Sequence, residues 1–205
     1  MHCGERLRLA GALLAPEITF ERLHALRCED PPVPTYHEGI AEPCMRRVLQ
    51  LMAPAQTDAL LDLGCGAGRW LALASEVCSC RLLGIEYVEG RASAARRVVE
   101  GTGATILQGD GLDADVWRRR PTHVVFVSFD STTDEAVRFW RRVATTPSVV
   151  CVATWTPKPV HEAKRFALAG SLRTVATTGD HVLCHIWTRQ PLPRADADEK
   201  KGSGV

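Results

Sequence analysis

Two hydrophobic periods alternate along the chain from residue 58 onward. Residues 58–63, 81–86, 104–108, 122–128 and 148–153 are short, nearly continuous apolar runs rich in Leu, Val and Ile, which reads as strands. Residues 69–78, 89–100 and 133–144 space their apolar side chains three and four apart, which reads as helices, and a further helix is expected near 160–169. Strands apolar on both faces and separated by helices predict a parallel sheet covered on both sides. The pattern changes at the end. Residues 172–177 and 181–188 read as two strands joined by Thr178-Gly179-Asp180, a turn signal, so an antiparallel hairpin should close the sheet. The fold class is α/β, with seven strands.

Upstream, residues 17–27 read as a short amphipathic helix. Residues 41–53 read as a second, with Met45, Val48, Leu49 and Met52 on one face, Pro43 in its first turn and Pro54 at its end. Between them, Pro31, Pro32 and Pro34 forbid a helix and hold residues 29–39 extended. Residues 191–205 mix charges, prolines and Gly-Ser-Gly, as a disordered tail does. Three stretches follow: N-terminal helices and loop (1–57), an α/β domain (58–190) and a tail (191–205).

Composition narrows the picture a little. With 205 residues and 45% hydrophobic content the chain can build one packed core. A net charge of +1 speaks against a general nucleic-acid-binding surface, and no direct sequence-specific nucleic-acid binding is expected. No window reaches the length of a membrane span, and the Arg8-interrupted apolar stretch at 7–15 is a poor signal peptide. The eight cysteines are scattered, and Cys78-Ser79-Cys80 lacks the second pair that a zinc site needs, so no metal is expected. Scattered free thiols fit a reducing compartment.

The chemistry concentrates after the first strand, at Asp62-Leu63-Gly64-Cys65-Gly66-Ala67-Gly68. Glycines at every second residue let the backbone turn sharply and approach a ligand, and a following helix adds its positive end. The spacing departs from the dinucleotide fingerprint G-x-G-x-x-G, because the third glycine arrives one residue early. It also lacks the Lys-Ser or Lys-Thr of a P-loop. The D-x-G-x-G-x-G form resembles motif I of the seven-strand S-adenosylmethionine (SAM) methyltransferases, whose sheet ends in an antiparallel hairpin. Three further strand ends carry polar residues where ligands of an open α/β sheet lie: Glu86, 24 residues after Asp62; Asp110 with Gly111; and Ser128-Phe129-Asp130.

Other residues resemble one branch of that class. Glu29 and Tyr36-His37-Glu38 precede the first strand, Cys80 stands before Gly84-Ile85-Glu86, Trp117-Arg118 follows Gly109-Asp110, and Thr156-Pro157-Lys158-Pro159 comes later. This order is similar to the disruptor-of-telomeric-silencing family, the non-SET histone-lysine methyltransferases. That resemblance implies SAM as cofactor, a histone or nucleosome as partner, and a nuclear location; otherwise a cytoplasmic one is expected. It places Tyr36 and Glu38 over the methionine end of SAM, Glu29 near the lysine entrance, Asp62, Gly64 and Gly66 at the amino-acid part, Glu86 at the ribose and Asp110 at the adenine with Gly111 beside it, while Ser128 faces the amine. Cys65, Gly68 and Tyr87 are expected among the cofactor-binding residues as well. Gly111 stands where the family has a Phe, and Cys184-His185 where it brings a Tyr pair. Phe129 and Trp155 are expected to line an apolar channel that keeps the acceptor amine neutral, although Trp155 also reads as core. The alternative is a small-molecule or non-histone protein methyltransferase on the same fold.

Overall fold

The computed structural model describes residues 39–127, 133–155, 164–176 and 181–190. The expected helix at 17–27, the Pro-rich loop up to residue 38 and the tail at 191–205 lie outside the described residues. Seven strands form one sheet: β1 Ala59–Leu63, β2 Arg81–Glu86, β3 Thr105–Gln108, β4 His123–Phe126, β5 Cys151–Thr154, β6 Phe166–Val175 and β7 His181–Arg189. Their spatial order is β3-β2-β1-β4-β5-β7-β6. Strands β1 to β5 run parallel, while β7 runs antiparallel between β5 and β6. Because β1 sits in the middle and the order reverses there, the ends of β1, β2 and β4 open onto a crevice where a ligand fits.

Among the described residues five helices accompany the sheet: α1 Glu42–Met52, α2 Arg69–Val77, α3 Glu89–Val98, α4 Ala114–Arg118 and α5 Thr133–Thr145. On one face Val48, Met52, Trp70, Leu71, Ala92 and Ala95 of α1, α2 and α3 pack against Leu60, Leu82 and Val125. On the other, Val116 and Trp117 of α4 and Phe139, Trp140 and Val143 of α5 pack against Leu61, Leu83 and Val124. The strands are therefore buried on both faces, as their unbroken apolar runs require. Full burial of such side chains contributes about 1.5–3 kcal/mol each.

Helix α1 belongs to this core. Ala41 N–H donates to Val175 O at 2.9 Å, and Ile40 bridges to Ala176, so the residues before β1 are fastened to the far edge of the sheet. The helix ends at Ala53, which takes a left-handed conformation (φ 46°) and donates its N–H to Leu49 O, just before Pro54.

The helix expected near 160–169 is corrected from residue 166 onward. Residues Phe166–Val175 form β6 instead, paired with β7 from Phe166↔Arg189 to Val175↔His181 with a register shift at Leu168/Gly170. The Ala-rich start of the segment favours helix locally. Phe166 is 1% exposed, packs on Trp140 at 5.9 Å and carries the Arg189 guanidinium 4.6 Å from its ring centroid, so tertiary contact overrides propensity. Helix α4, only five residues long, leaves too little periodicity to be read from sequence.

Candidate cofactor site

The turn after β1 has the backbone that its glycines imply. Gly64, Gly66 and Gly68 have φ of 79°, 53° and 84°, the left-handed region that other residues avoid. A Cβ at Gly64 or Gly66 would meet no protein atom within 4 Å, so the space over the turn is open. A Cβ at Gly68 would press on the Ala95 backbone at 3.2 Å. The first two glycines thus serve a ligand's approach, and the third serves close packing of the turn on α3.

The turn is tied to β2 at several points. Gly64 N–H and Cys65 N–H both donate to Ile85 O at 2.9 Å. Glu86, 6% exposed, accepts from Gly66 N–H through Oε2 and from Val88 N–H through Oε1, both at 2.9 Å. One carboxylate therefore fixes the glycine turn and the start of α3 together. Each oxygen keeps a second lone pair for a ligand hydroxyl.

Asp62 lies two residues before the turn, 2% exposed, and its Oδ2 has no hydrogen-bond partner among the described residues. Burial, reinforced by the nearby charge of Glu86, pushes its carboxyl up to about 7. An orphaned buried oxygen beside an open glycine turn is what a cationic ligand group would complete.

The third acid is built differently. Asp110 Oδ1 accepts Leu112 N–H at 2.8 Å, and Oδ2 faces Arg138 of α5 at 3.4 Å. The same loop is held by Trp117, whose indole N–H donates to Gly111 O at 2.8 Å, and by Arg142, which donates twice to Leu112 O at 3.2 and 3.0 Å. A Cβ on Gly111 would stand 2.6 Å from Leu63 Cδ1, so position 111 admits no side chain without repacking.

Glu86, Tyr87, Asp110, Gly111 and Gly64 line one cleft of about 480 Å³, together with Leu63, Ile85, Phe126, Asp134 and Arg138. Its apolar wall and acidic rim suit a nucleoside-sized ligand. Cys65 is placed otherwise than expected. Its N–H is spent on Ile85 O, and its sulfur lies 2.9 Å from where a Cβ on Gly84 would be, inside the apolar cluster. Burial raises its thiol, so it is an inert packing group. Trp155 also turns inward. It is 9% exposed, meets Trp70 edge-on at 5.9 Å and donates its indole N–H to Thr174 Oγ1 at 2.8 Å. It packs the core rather than lining a channel. Glu29, Tyr36, Glu38, Ser128 and Phe129 lie outside the described residues.

The sequence reading missed Arg138 and Arg142. Their signal was present: they sit four apart on an amphipathic helix whose first turn follows the end of β4, so one face of α5 addresses the crevice.

Comparison with known proteins agrees with this geometry. Residues 60–146 match the family described as a methyltransferase domain. A curated relative, the 4-amino-L-phenylalanine/4-methylamino-L-phenylalanine methyltransferase of Streptomyces pristinaespiralis, is 42% identical over 79 residues, which is 38% of this chain. The matched stretch spans about a quarter (27%) of that relative's length. Among solved structures, an RNA methyltransferase from Salinibacter ruber in complex with S-adenosyl-L-homocysteine superposes with a TM-score of 0.56 at 22% identity, covering 82% of this chain and 100% of that one. TrmN from Thermus thermophilus superposes with a TM-score of 0.56 at 13% identity, over 73% of this chain and 48% of that one.

These findings overturn the resemblance to the disruptor-of-telomeric-silencing family. The matched family is a general methyltransferase domain, and the curated relative is a bacterial amino-acid methyltransferase. The structure gives physical reasons as well. There is no room at Gly111 for that family's Phe. At the place of its Tyr pair, Cys184 is fully buried and His185 is bonded to Ser171 Oγ at 2.9 Å. The motif-I resemblance holds: the chain carries the class I SAM-dependent methyltransferase fold, its residues 60–146 match the methyltransferase-domain family, and its cleft has residues that fit S-adenosylmethionine as cofactor.

Proposed function

We propose that this chain transfers the methyl group of SAM to the amine of a small, amino-acid-like molecule. The observation that carries the cofactor half is the meeting of three left-handed glycines, Glu86 and Asp110 around one cleft. Support for the acceptor comes from the Streptomyces pristinaespiralis relative, a methyltransferase of 4-amino-L-phenylalanine and 4-methylamino-L-phenylalanine, which are aromatic amines borne on an amino acid.

The roles of the residues follow from their chemistry. Asp62 offers a carboxylate to the ammonium of the amino-acid end, Glu86 offers its spare lone pairs to the ribose hydroxyls, and Asp110 accepts from the base. Bound SAM supplies an electrophilic methyl on a sulfonium, open to in-line attack. The chain itself aligns the two partners and excludes water, and positioning of this kind is worth about 7–11 kcal/mol. An aromatic amine is already neutral near pH 7 and needs no base. An alkylamine with a pKa of about 10.4 must first lose a proton.

The test is a methyl-transfer assay with radiolabelled SAM on amino-substituted phenylalanines, simple alkylamines, a small-molecule extract, total RNA and total protein. Label entering an aromatic amine or the small-molecule extract supports the reading. Label entering only RNA or only protein contradicts the acceptor class, and no incorporation anywhere despite SAM binding contradicts the transferase reading.

A further inference from the structure

Helix α5 reaches into the cleft with two arginines one turn apart, and they are used differently. Arg142 is fixed, with two hydrogen bonds to Leu112 O. Among the described residues Arg138 touches the site through Asp110 Oδ2, at 3.4 Å, with side-chain exposures of 59% for the arginine and 42% for the aspartate. A solvent-exposed pair at that distance holds its partners weakly. Asp110 Oδ1 is already occupied by Leu112 N–H, so Oδ2 is the oxygen available to a ligand donor. In the structure Arg138 sits on that oxygen, at the edge of the cleft.

The wall opposite the solvent is apolar, formed by Leu63, Ile85 and the side-chain-free Gly111. One face of a planar base can lie there. Two aromatic residues among the described ones line the cleft: Phe126 is 6% exposed and presents almost no ring surface, while Tyr87, 72% exposed, stands on the β2 side just after Glu86, and Arg138 is the planar group on the α5 side. A guanidinium is planar, always charged and stacks well on a ring face.

We propose that Arg138 is the outer wall of the nucleobase subsite, a residue that helps select a 6-aminopurine. It neutralises Asp110 while the cleft is empty. When the cofactor enters, Asp110 Oδ2 passes from Arg138 to the exocyclic amine of the base, and the guanidinium lies across the exposed ring face. No covalent bond is made or broken in this exchange: Asp110 trades a charged hydrogen-bond donor for a neutral one, and the guanidinium remains close by over the ring face. A 6-oxopurine offers an acceptor where Asp110 needs a donor, so the same exchange disfavours it. This assignment rests on the SAM reading of the cleft and adds to it a residue that the fold does not dictate.

Calorimetry with the full chain tests it, using three probes: S-adenosylhomocysteine, 5′-methylthioadenosine and S-inosylhomocysteine. Arg138→Ala is expected to weaken S-adenosylhomocysteine and 5′-methylthioadenosine alike, by about 5–20-fold, as for loss of one stacking cation. Arg138→Lys, which keeps the charge and loses the plane, should recover only part of that. Wild type should prefer the adenosyl over the inosyl ligand, and Arg138→Ala should narrow the preference. Melting temperatures without ligand should stay close to wild type, since an exposed ion pair contributes little to stability. Affinity within twofold of wild type in Arg138→Ala overturns the proposal. So does a loss seen with S-adenosylhomocysteine but absent with 5′-methylthioadenosine, which would move Arg138 to the amino-acid end. If wild type binds neither adenosyl ligand, the SAM reading itself falls and this proposal with it.

Discussion

The two ends of β1 each present an aspartate, and the two are treated in opposite ways. At the N-terminal end, Asp58 Oδ2 accepts Ala55 N–H at 2.6 Å, and nearby Thr122 Oγ1 accepts Ala59 N–H at 2.9 Å. These groups close loops and hold β1 against β4. At the C-terminal end, Asp62 is more deeply buried and Oδ2 has no partner among the described residues, while its neighbour Glu86 spends its hydrogen bonds on a strained glycine turn. Buried polar groups are ordinarily satisfied, and leaving one open costs about 1–3 kcal/mol. The N-terminal end is built for stability. The C-terminal end keeps a buried carboxylate oxygen that a cationic ligand group can complete.

The largest effect expected at the C-terminal end is from Gly66→Arg. The side chain would fill the open space over the turn, so calorimetry should show S-adenosylhomocysteine affinity reduced by more than about 100-fold, or about 2.7 kcal/mol. Circular dichroism should show a folded chain, because no protein atom occupies that space and the left-handed backbone at Gly66 costs a side chain only about 1–2 kcal/mol. A folded variant with unchanged affinity would remove the glycine turn from the site.

Glu86→Ala comes next. It should weaken the same ligand by about 1.5–3 kcal/mol, the range for hydrogen bonds to a charged group. It should also lower the melting temperature, because Gly66 N–H and Val88 N–H lose their acceptor. A binding loss below about 0.5 kcal/mol would reduce Glu86 to a structural tie.

Asp62 should impose a pH dependence on stability. Its folded value, about 7, lies above its ordinary value of 3.8, so the folded chain holds an extra proton between those limits. The unfolded chain releases that proton first as pH rises. Stability from this group is therefore greatest at the acid end of the window and falls toward pH 7, by at most about 1.4 kcal/mol per pH unit. Asp62→Asn should flatten that slope and stabilise the ligand-free chain at pH 7.5 by roughly 1–3 kcal/mol, read by urea unfolding at pH 5 and 7.5. An equal slope in wild type and variant would show that Asp62 does not titrate in this window.

The smallest effect expected belongs to the other end of the strand. Asp58→Ala should cost about 1 kcal/mol of stability for one lost hydrogen bond and leave S-adenosylhomocysteine affinity within twofold of wild type. A clear loss of binding would erase the division between the two ends.

Much of this division is legible in the sequence, for physical reasons. A doubly buried strand reads as an unbroken apolar run, so β1, β2 and β4 stand out, and Gly64-Cys65-Gly66-Ala67-Gly68 announces a turn that only glycines can make. The acids Asp62, Glu86 and Asp110 are legible because the ends of parallel strands must converge on one edge. Three things were not. Segment β6 is decided by pairing with β7 across the hairpin rather than by its Ala-rich start. Cys65 lies within the motif, yet its side chain turns into the core, a direction that sequence spacing does not encode. Arg138 acts across a gap of 28 residues, through a helix whose rotation the linear pattern leaves open. The family-level error had a related cause: the acids and glycine turn define the cofactor shared by the whole class, whereas branches of the class differ in their loops and in side-chain room such as that denied beside the base at Gly111.

The most direct test of the central claim is the pH dependence of S-adenosylhomocysteine binding to wild type and Asp62→Asn. A ligand ammonium favours the ionised form of Asp62, so binding below pH 7 must first expel the proton that burial retains there. Wild-type affinity should climb between pH 6 and 8, approaching a tenfold change per unit at its acid end, while Asp62→Asn should bind more weakly at pH 8 with little pH dependence. Tight wild-type binding that is flat across this range, or a slope that persists in Asp62→Asn, would contradict the claim that the orphaned carboxylate at the end of β1 is completed by the cofactor.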